Sequence, residues 1–111
     1  MASVATAHVV CLVTAPPDQA QPIAQAIVER ELVACVNIVP LVHSVYRWEG
    51  KVERDDEALL VIKTTRAAIG RLTDAVGELH PYENFELVVL DIAAGAPAYL
   101  DWIAGSVAAG G

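Results

Sequence analysis

The side chains able to bind a metal ion are few in this chain and widely spaced. It has three histidines and two cysteines, without a C-x-x-C or H-x-H pair, which argues against a closed structural zinc site. His80 lies in the segment LHPYE, where a helix is predicted to stop, and the dipole of that helix is a sufficient structural reason for it. A histidine, a tyrosine and a carboxylate around one proline also form a compact polar group. A ligand role for His80 therefore stays open.

The other candidate ligands favour structural roles. Cys11 and Cys35 lie inside apolar strand segments, which is typical of buried thiols that stay reduced. His43 is expected to form an ordinary charge-assisted hydrogen bond with Asp56 across a hairpin. The acidic run 53–57 lacks the glycine and the ligand spacing of a calcium loop, and we interpret it as a solvated arm.

A second group of residues is suited to a pocket or an interface. Lys63 ends an apolar strand, where its ammonium needs a partner, and Glu83 is the expected one. Large aromatics near a hairpin tip and on a terminal helix are typical of interface anchors. Structural pairing and a pocket for a small anion or metabolite between subunits both stay open. The residues predicted for this interface or cleft are Tyr46, Trp48, Lys63, Tyr82, Glu83, Tyr99 and Trp102.

Signatures of catalysis are missing from the sequence. It contains no G-x-S-x-G, H-E-x-x-H, P-loop or dinucleotide fingerprint, and no nucleophile–base pair can be read from it. We therefore predict that the protein is not an enzyme and requires no cofactor.

Charge and composition restrict the partners. The net charge is −7 and the pI about 4.7, and seven scattered basic residues form no patch for a phosphate backbone. The first residues, MASVATA, lack the basic region of a signal peptide, and no apolar run approaches the ~18 residues that span a bilayer. We expect one cytoplasmic domain, 1–111, with neither nucleic acid nor membrane as a partner.

The pattern of apolar residues predicts an α+β domain. A strand at His8–Ala15 precedes a helix at about 18–32, which Asp18 caps unless the helix starts at Pro22. A long hairpin follows, Cys35–Trp48 and 51–64, with Glu49-Gly50 as its loop and a bulge or edge at Pro40. A second helix capped by Thr65, a strand at 85–92 and a helix opened by Pro97 complete the chain. This order, βαββαβ plus a C-terminal helix, is that of the ferredoxin-like fold.

The hairpin and the strands predict an oligomer. A strand from Cys35 to Trp48 at ~3.3 Å per residue is about 45 Å long, whereas a domain of this size has a radius of gyration near ~13 Å. Several strands, such as HVVCLVT and LVVL, are apolar on both faces, as is typical of sheets covered on both sides. Helices can cover one face, so the other needs a second subunit.

These segments together resemble the divalent-cation tolerance family, CutA. The resemblance spans the chain, and its most specific parts are SVYRWEGK at 44–51 and HPYE at 80–83. Further matching segments are TAP at 14–16, LVACVNI at 32–38, KT at 63–64 and YLDWI at 99–103. The resemblance implies a ferredoxin-like homotrimer, similar in shape to the PII signalling proteins, with a link to copper tolerance and copper binding.

The chain departs from the family at positions expected to bind copper. Val13 stands where copper-binding members have a cysteine, and Leu79 stands where they have a second histidine, so His80 alone carries over. Another donor would have to come from Cys11, which is on the same strand face as Val13, from Cys35 or from Tyr82, in this or a neighbouring chain. We therefore predict a cytoplasmic homotrimer in divalent-cation tolerance with weak Cu(II) binding. The alternative is a PII-like signalling or interaction module that binds a small ligand between subunits.

Overall fold

The computed structural model describes residues 7–109. The elements are β1 (His8–Ala15), α1 (Pro17–Glu29), β2 (Cys35–Trp48), β3 (Lys51–Thr65), α2 (Ile69–Leu79), β4 (Leu87–Asp91) and α3 (Pro97–Ser106). A 3-10 turn at Arg66–Ala68 precedes α2. The prediction that the chain has no signal peptide depends mostly on residues 1–6. These residues lie outside the described part of the chain.

The strands form one antiparallel sheet in the order β2-β3-β1-β4. This is the strand order of a split βαβ arrangement, with each helix crossing over the same face of the sheet. The predicted α+β class and element order are therefore confirmed.

The long hairpin has the predicted register. Tyr46 lies opposite Glu53 and His43 opposite Asp56, and the register shifts between Val39 and Val42, around Pro40. Both loop residues have positive φ, 49° at Glu49 and 79° at Gly50, as a type I′ turn requires. The domain measures 42 Å along its longest axis, with a radius of gyration of 14.8 Å, above the ~13 Å of a compact domain this long.

The hydrophobic core lies between the sheet and helices α1 and α2. Alternation along β1 and β3 directs one set of side chains to the helices, and these are inaccessible to solvent. They include Val9, Cys11, Val13, Leu60 and Ile62. We call this side of the sheet the covered face and the opposite side the open face. Thr64, the buried polar residue of this layer, donates its hydroxyl to the Leu32 carbonyl at 2.7 Å.

Helix α1 differs from both predicted versions. It begins at Pro17, the favoured first position, and contains Pro22, which cannot donate the hydrogen bond of its position. It ends at Glu29 rather than near Leu32 because Glu31 adopts a left-handed conformation, φ 57°. The amides of Glu31 and Leu32 then bond to the carbonyls of Val28 and Ile27, which is a Schellman motif.

Two smaller differences concern the second half of the chain. Thr65 precedes the 3-10 turn without a capping hydrogen bond, and α2 starts four residues later at Ile69. Strand β4 starts at Leu87 instead of residue 85.

Candidate functional site

His80 is a buried residue with both ring nitrogens in hydrogen bonds. Nε2 lies 2.7 Å from the Thr14 carbonyl, and Nδ1 lies 3.1 Å from the Tyr82 amide nitrogen. A carbonyl only accepts and an amide N–H only donates, so Nε2 carries the proton and Nδ1 accepts. The ring also stacks on Phe85, with centroids 5.4 Å apart. Metal coordination by His80 therefore requires the loss of one of these hydrogen bonds.

The predicted copper ligands are not brought together within one chain. Cys11 pairs with Ile62 on the covered face, whereas Cys35 pairs with Lys63, one position along, and so belongs to the open face. Burial raises the pKa of the Cys11 thiol to about 11, which disfavours the thiolate that binds metals. Within residues 7–109, no three His, Cys, Asp or Glu side chains are grouped as a metal site.

Lys63 does not pair with Glu83 as expected. Its ammonium donates to the Asn37 side-chain oxygen, and it lies opposite Val10 of β1. Glu83 lies at the other end of the sheet, beside Thr14. The pairing was proposed because an ammonium at the end of an apolar strand needs a partner, but the antiparallel register separates the two residues along β1.

The predicted aromatic anchors form two separate groups. Tyr46 and Trp48 lie near the hairpin tip, and Trp48 is 50% exposed. The Tyr46 hydroxyl donates to Asp55, and this hydrogen bond, burial and the charges of nearby acids raise the Tyr46 pKa to about 12.

On α3, Tyr99 and Trp102 are in contact, with ring centroids 5.4 Å apart. Burial, followed by the nearby Cys35, raises the Tyr99 pKa. The Ala108 amide beyond α3 bonds to the Glu31 carbonyl at 2.9 Å. The terminal helix therefore lies at the opposite end of the domain from the hairpin tip.

A cleft of about 1060 Å³ lies on the open face at the base of the hairpin tip. Its carboxylates and aromatic rings come from β2, β3 and the segment 82–86. Burial and the charges of Glu57 and Asp55 raise the pKa of Tyr82 in this cleft. The residues lining it are Thr14, Ser44, Val45, Tyr46, Trp48, Asp55, Glu57, Tyr82, Glu83, Asn84, Phe85 and Glu86.

Sequence reasoning missed Glu57, which it assigned to a solvated acidic arm. Glu57 is 8% exposed, whereas Asp55 and Asp56 are exposed. It pairs with Val42 and lies two residues before Leu59, so alternation puts it on the open face beside Thr14. Its position at the boundary between the acidic run and the apolar run ALLVI was the available signal.

The chain is similar to proteins of one family along most of its length. The profile of the family described as CutA1 divalent ion tolerance protein matches residues 9–106. The divalent-cation tolerance protein CutA of Thermus thermophilus is 50% identical over 95 residues, 85% of this chain and 92% of that protein. A CutA homolog of Xenopus laevis is 48% identical over 92 residues, 82% of this chain but 61% of that protein. The chain thus spans less than two thirds of some relatives.

Solved structures show the same architecture. A divalent cation tolerance protein from Thermus thermophilus superimposes with a TM-score of 0.89 at 47% identity, covering 91% of this chain and 99% of that one. A structure described as a PII-like protein CutA from Nostoc sp. PCC 7120, in apo form, gives 0.86 at 37% identity, covering 90% and 97%.

Proposed function

The chain belongs to the CutA1 divalent ion tolerance protein family, and from this we propose that it acts in divalent-cation tolerance as a homotrimer whose subunits cover each other's open faces. The main observation that supports this assembly is the apolar open face. Val88 and Leu90 of β4 are 45% and 51% exposed there, and apolar patches of this kind mark interaction surfaces.

The hairpin supports the same assembly. Apolar side chains along it are exposed in the single chain: Leu41, Val45, Val52 and Trp48. A strand pair that projects from its domain gains burial by packing on a neighbouring copy. Three copies are proposed from the resemblance to the PII proteins, and the Nostoc relative is described as PII-like.

Light scattering at micromolar concentration tests the assembly directly. We expect a particle of three chains with native circular dichroism. A well-folded monomer under the same conditions would contradict both the trimer and the explanation of the open face.

Weak Cu(II) binding through His80 is the proposed metal chemistry. Copper has the highest affinity among the divalent first-row ions, and imidazole suits it. Coordination would break a hydrogen bond of His80 to Thr14 or Tyr82, and Val13 and Leu79 occupy the positions of two further donors. We therefore expect a dissociation constant no tighter than about micromolar, or roughly −8 kcal/mol.

Calorimetry on metal-stripped, tag-free protein tests this proposal. His80→Ala should abolish Cu(II) binding, and His43→Ala, which changes an exposed histidine on the hairpin, should not. Nanomolar binding that survives in His80→Ala would locate the copper site elsewhere.

A PII-like module that binds a small ligand is the second candidate, favoured by the cleft around Glu57. In either case we propose a non-catalytic role, since the sequence offers no nucleophile–base pair. A cytoplasmic location stays a prediction, because one Arabidopsis relative is named chloroplastic and one Archaeoglobus structure is described as periplasmic. No helix within residues 7–109 is long and apolar enough to cross a bilayer.

A further inference from the structure

Glu57 is a buried acid that has no partner in its own chain. It is 8% exposed, and within residues 7–109 its carboxylate forms no hydrogen bond or ion pair. Every fully inaccessible side-chain N or O atom of this region is hydrogen-bonded, so the Glu57 oxygens must open into the cleft that the residue lines. A carboxylate that is largely shielded from bulk water and has no partner is destabilising. A ligand that pairs with it would remove that cost.

The charges around Glu57 select a cation. Three further carboxylates, those of Asp55, Glu83 and Glu86, line the cleft, and its lining contains no lysine, arginine or histidine. Several like charges that line one cleft attract ions of opposite sign. The small-anion ligand that the sequence left open therefore has the wrong charge for this cleft.

The aromatic rings select an organic cation over a bare metal ion. Tyr46, Trp48 and Tyr82 line the cleft and are between 40% and 50% exposed, so these side chains are accessible to a ligand. Ammonium and guanidinium groups bind such faces by cation–π attraction. A metal ion needs several oxygen ligands at once, and no group of three His, Cys, Asp or Glu side chains within residues 7–109 provides them.

We infer that the Glu57 cleft binds an organic cation with N–H donors, an ammonium or a guanidinium, between the carboxylate and the aromatic rings. This inference deepens the ligand-binding candidate of the proposed function. The cation has two possible sources, a free small molecule or a basic side chain of a second copy. The hairpin carries suitable groups, because the side chains of Arg47, Lys51 and Arg54 form no hydrogen bond or ion pair in the described part of the chain.

Titration with agmatine, which carries both an ammonium and a guanidinium, tests the free source. The Trp102→Phe background leaves Trp48 as the fluorophore, and sodium chloride at equal ionic strength is the salt control. We expect a saturable fluorescence change, with an affinity at least ten-fold weaker in Glu57→Gln. Glu29→Gln removes the same charge from α1, outside the cleft, and should bind as the wild type does.

Two controls guard against a folding artefact. If the cation is a free molecule, Glu57→Gln should keep the native circular dichroism and raise the melting temperature of the unliganded protein, since it then removes an unpaired buried charge. Tyr82→Leu, at an exposed position, removes one aromatic ring and should also weaken agmatine. Unchanged binding in both variants would overturn the inference.

If a second copy supplies the cation, the wild type will not bind agmatine. In that case Glu57→Gln should promote dissociation on dilution, and so should one of three hairpin variants, Arg47→Gln, Lys51→Gln or Arg54→Gln. The variant that combines the two changes should dissociate no more than the single variant that dissociates more. The inference would be overturned if the wild type does not bind agmatine and the two substitutions do not show this non-additive effect on dissociation. That result would leave the trimer intact. A monomeric wild type would overturn the trimer, and the agmatine titration would still show whether the cleft binds an organic cation.

Discussion

The two faces of the sheet are built from the same strands, yet they have different environments. On β3, Leu60 points to the helices and is inaccessible to solvent, whereas its neighbour Leu59 points to the open face and is partly buried. On β4, which pairs with β1 at the edge of the sheet, Val88 and Leu90 are about half exposed. Apolar amino acids therefore lie on both faces.

The difference shows that apolar composition and burial within one chain are separate properties. Helices α1 and α2 pack on one side only, so the covered face contributes to the folding of each chain. The part of the open face that no helix of the chain covers can contribute only when a second surface covers it. Substitutions on the covered face should therefore affect folding, and those on the open face should affect assembly.

Leu60→Ala should have the largest effect on folding. A buried leucine truncated in a closed core costs about 2–5 kcal/mol, and this loss should not depend on protein concentration. The matched variant Leu59→Ala removes the same atoms one residue away, on the open face. Urea unfolding should show a smaller effect for Leu59→Ala, growing as the protein is diluted. Equal, concentration-independent losses would mean that the two faces do not differ.

Trp48→Ala should damage assembly more than secondary structure. Trp48 is 50% exposed in the single chain, so a neighbour must supply most of its burial. Truncation of such an anchor costs about 2 kcal/mol or more. Light scattering on serial dilution should detect smaller particles with unchanged circular dichroism. An intact trimer with the wild-type melting temperature would exclude the hairpin tip as an anchor.

Glu31→Gly should stabilise the chain slightly. Glu31 ends α1 with φ 57°, a conformation that glycine adopts without the steric cost of a side chain. After allowance for the greater freedom of glycine in the unfolded state, the gain should be about 0.5 kcal/mol. Glu29→Gly, in the last helical position, is the matched control and should destabilise. A loss of stability in Glu31→Gly would contradict the Schellman ending.

Cys11 should produce a pH effect that belongs to the covered face. Its pKa rises from 9.0 to about 11 on folding, so the folded state favours the protonated thiol. This contribution is complete below pH 9.0 and is lost as the pH rises through about 11. Unfolding free energies across that range should fall less in Cys11→Ala than in wild type, whereas Cys35→Ser should keep the fall. An identical fall in Cys11→Ala would assign it to other groups.

Most of the fold could be predicted because its signals are local. The loop at Glu49-Gly50 and the alternation of the flanking strands determine the hairpin register, and the bulge follows from Pro40. The end of α1 could not be predicted, because a glutamate in the left-handed conformation has no local signature. That conformation is held by the hydrogen bonds of Glu31 and Leu32 to α1 and by packing of Leu32 in the core.

The candidate site was predicted less well than the fold. Tyr46, Trp48, Tyr82 and Glu83 were named from the sequence and line one cleft, but Lys63 belongs to the other end of the sheet. His80 was selected as a ligand from the polar segment HPYE and from the family resemblance. Its hydrogen bond to Thr14, 66 positions away in the chain, depends on how the segment after α2 packs against β1.

The sequence by itself determined the element order, the strand register, the two-faced apolar strands and the family, because these depend on residue type and short-range spacing. Only the tertiary structure decided which apolar face the helices cover, which ring nitrogens of His80 are occupied, and that Glu57 alone of its acidic run is buried. These properties depend on which distant segments meet. A carboxylate is solvated or buried according to what packs over it, and for Glu57 the neighbouring segments are β2 and residues 82–86.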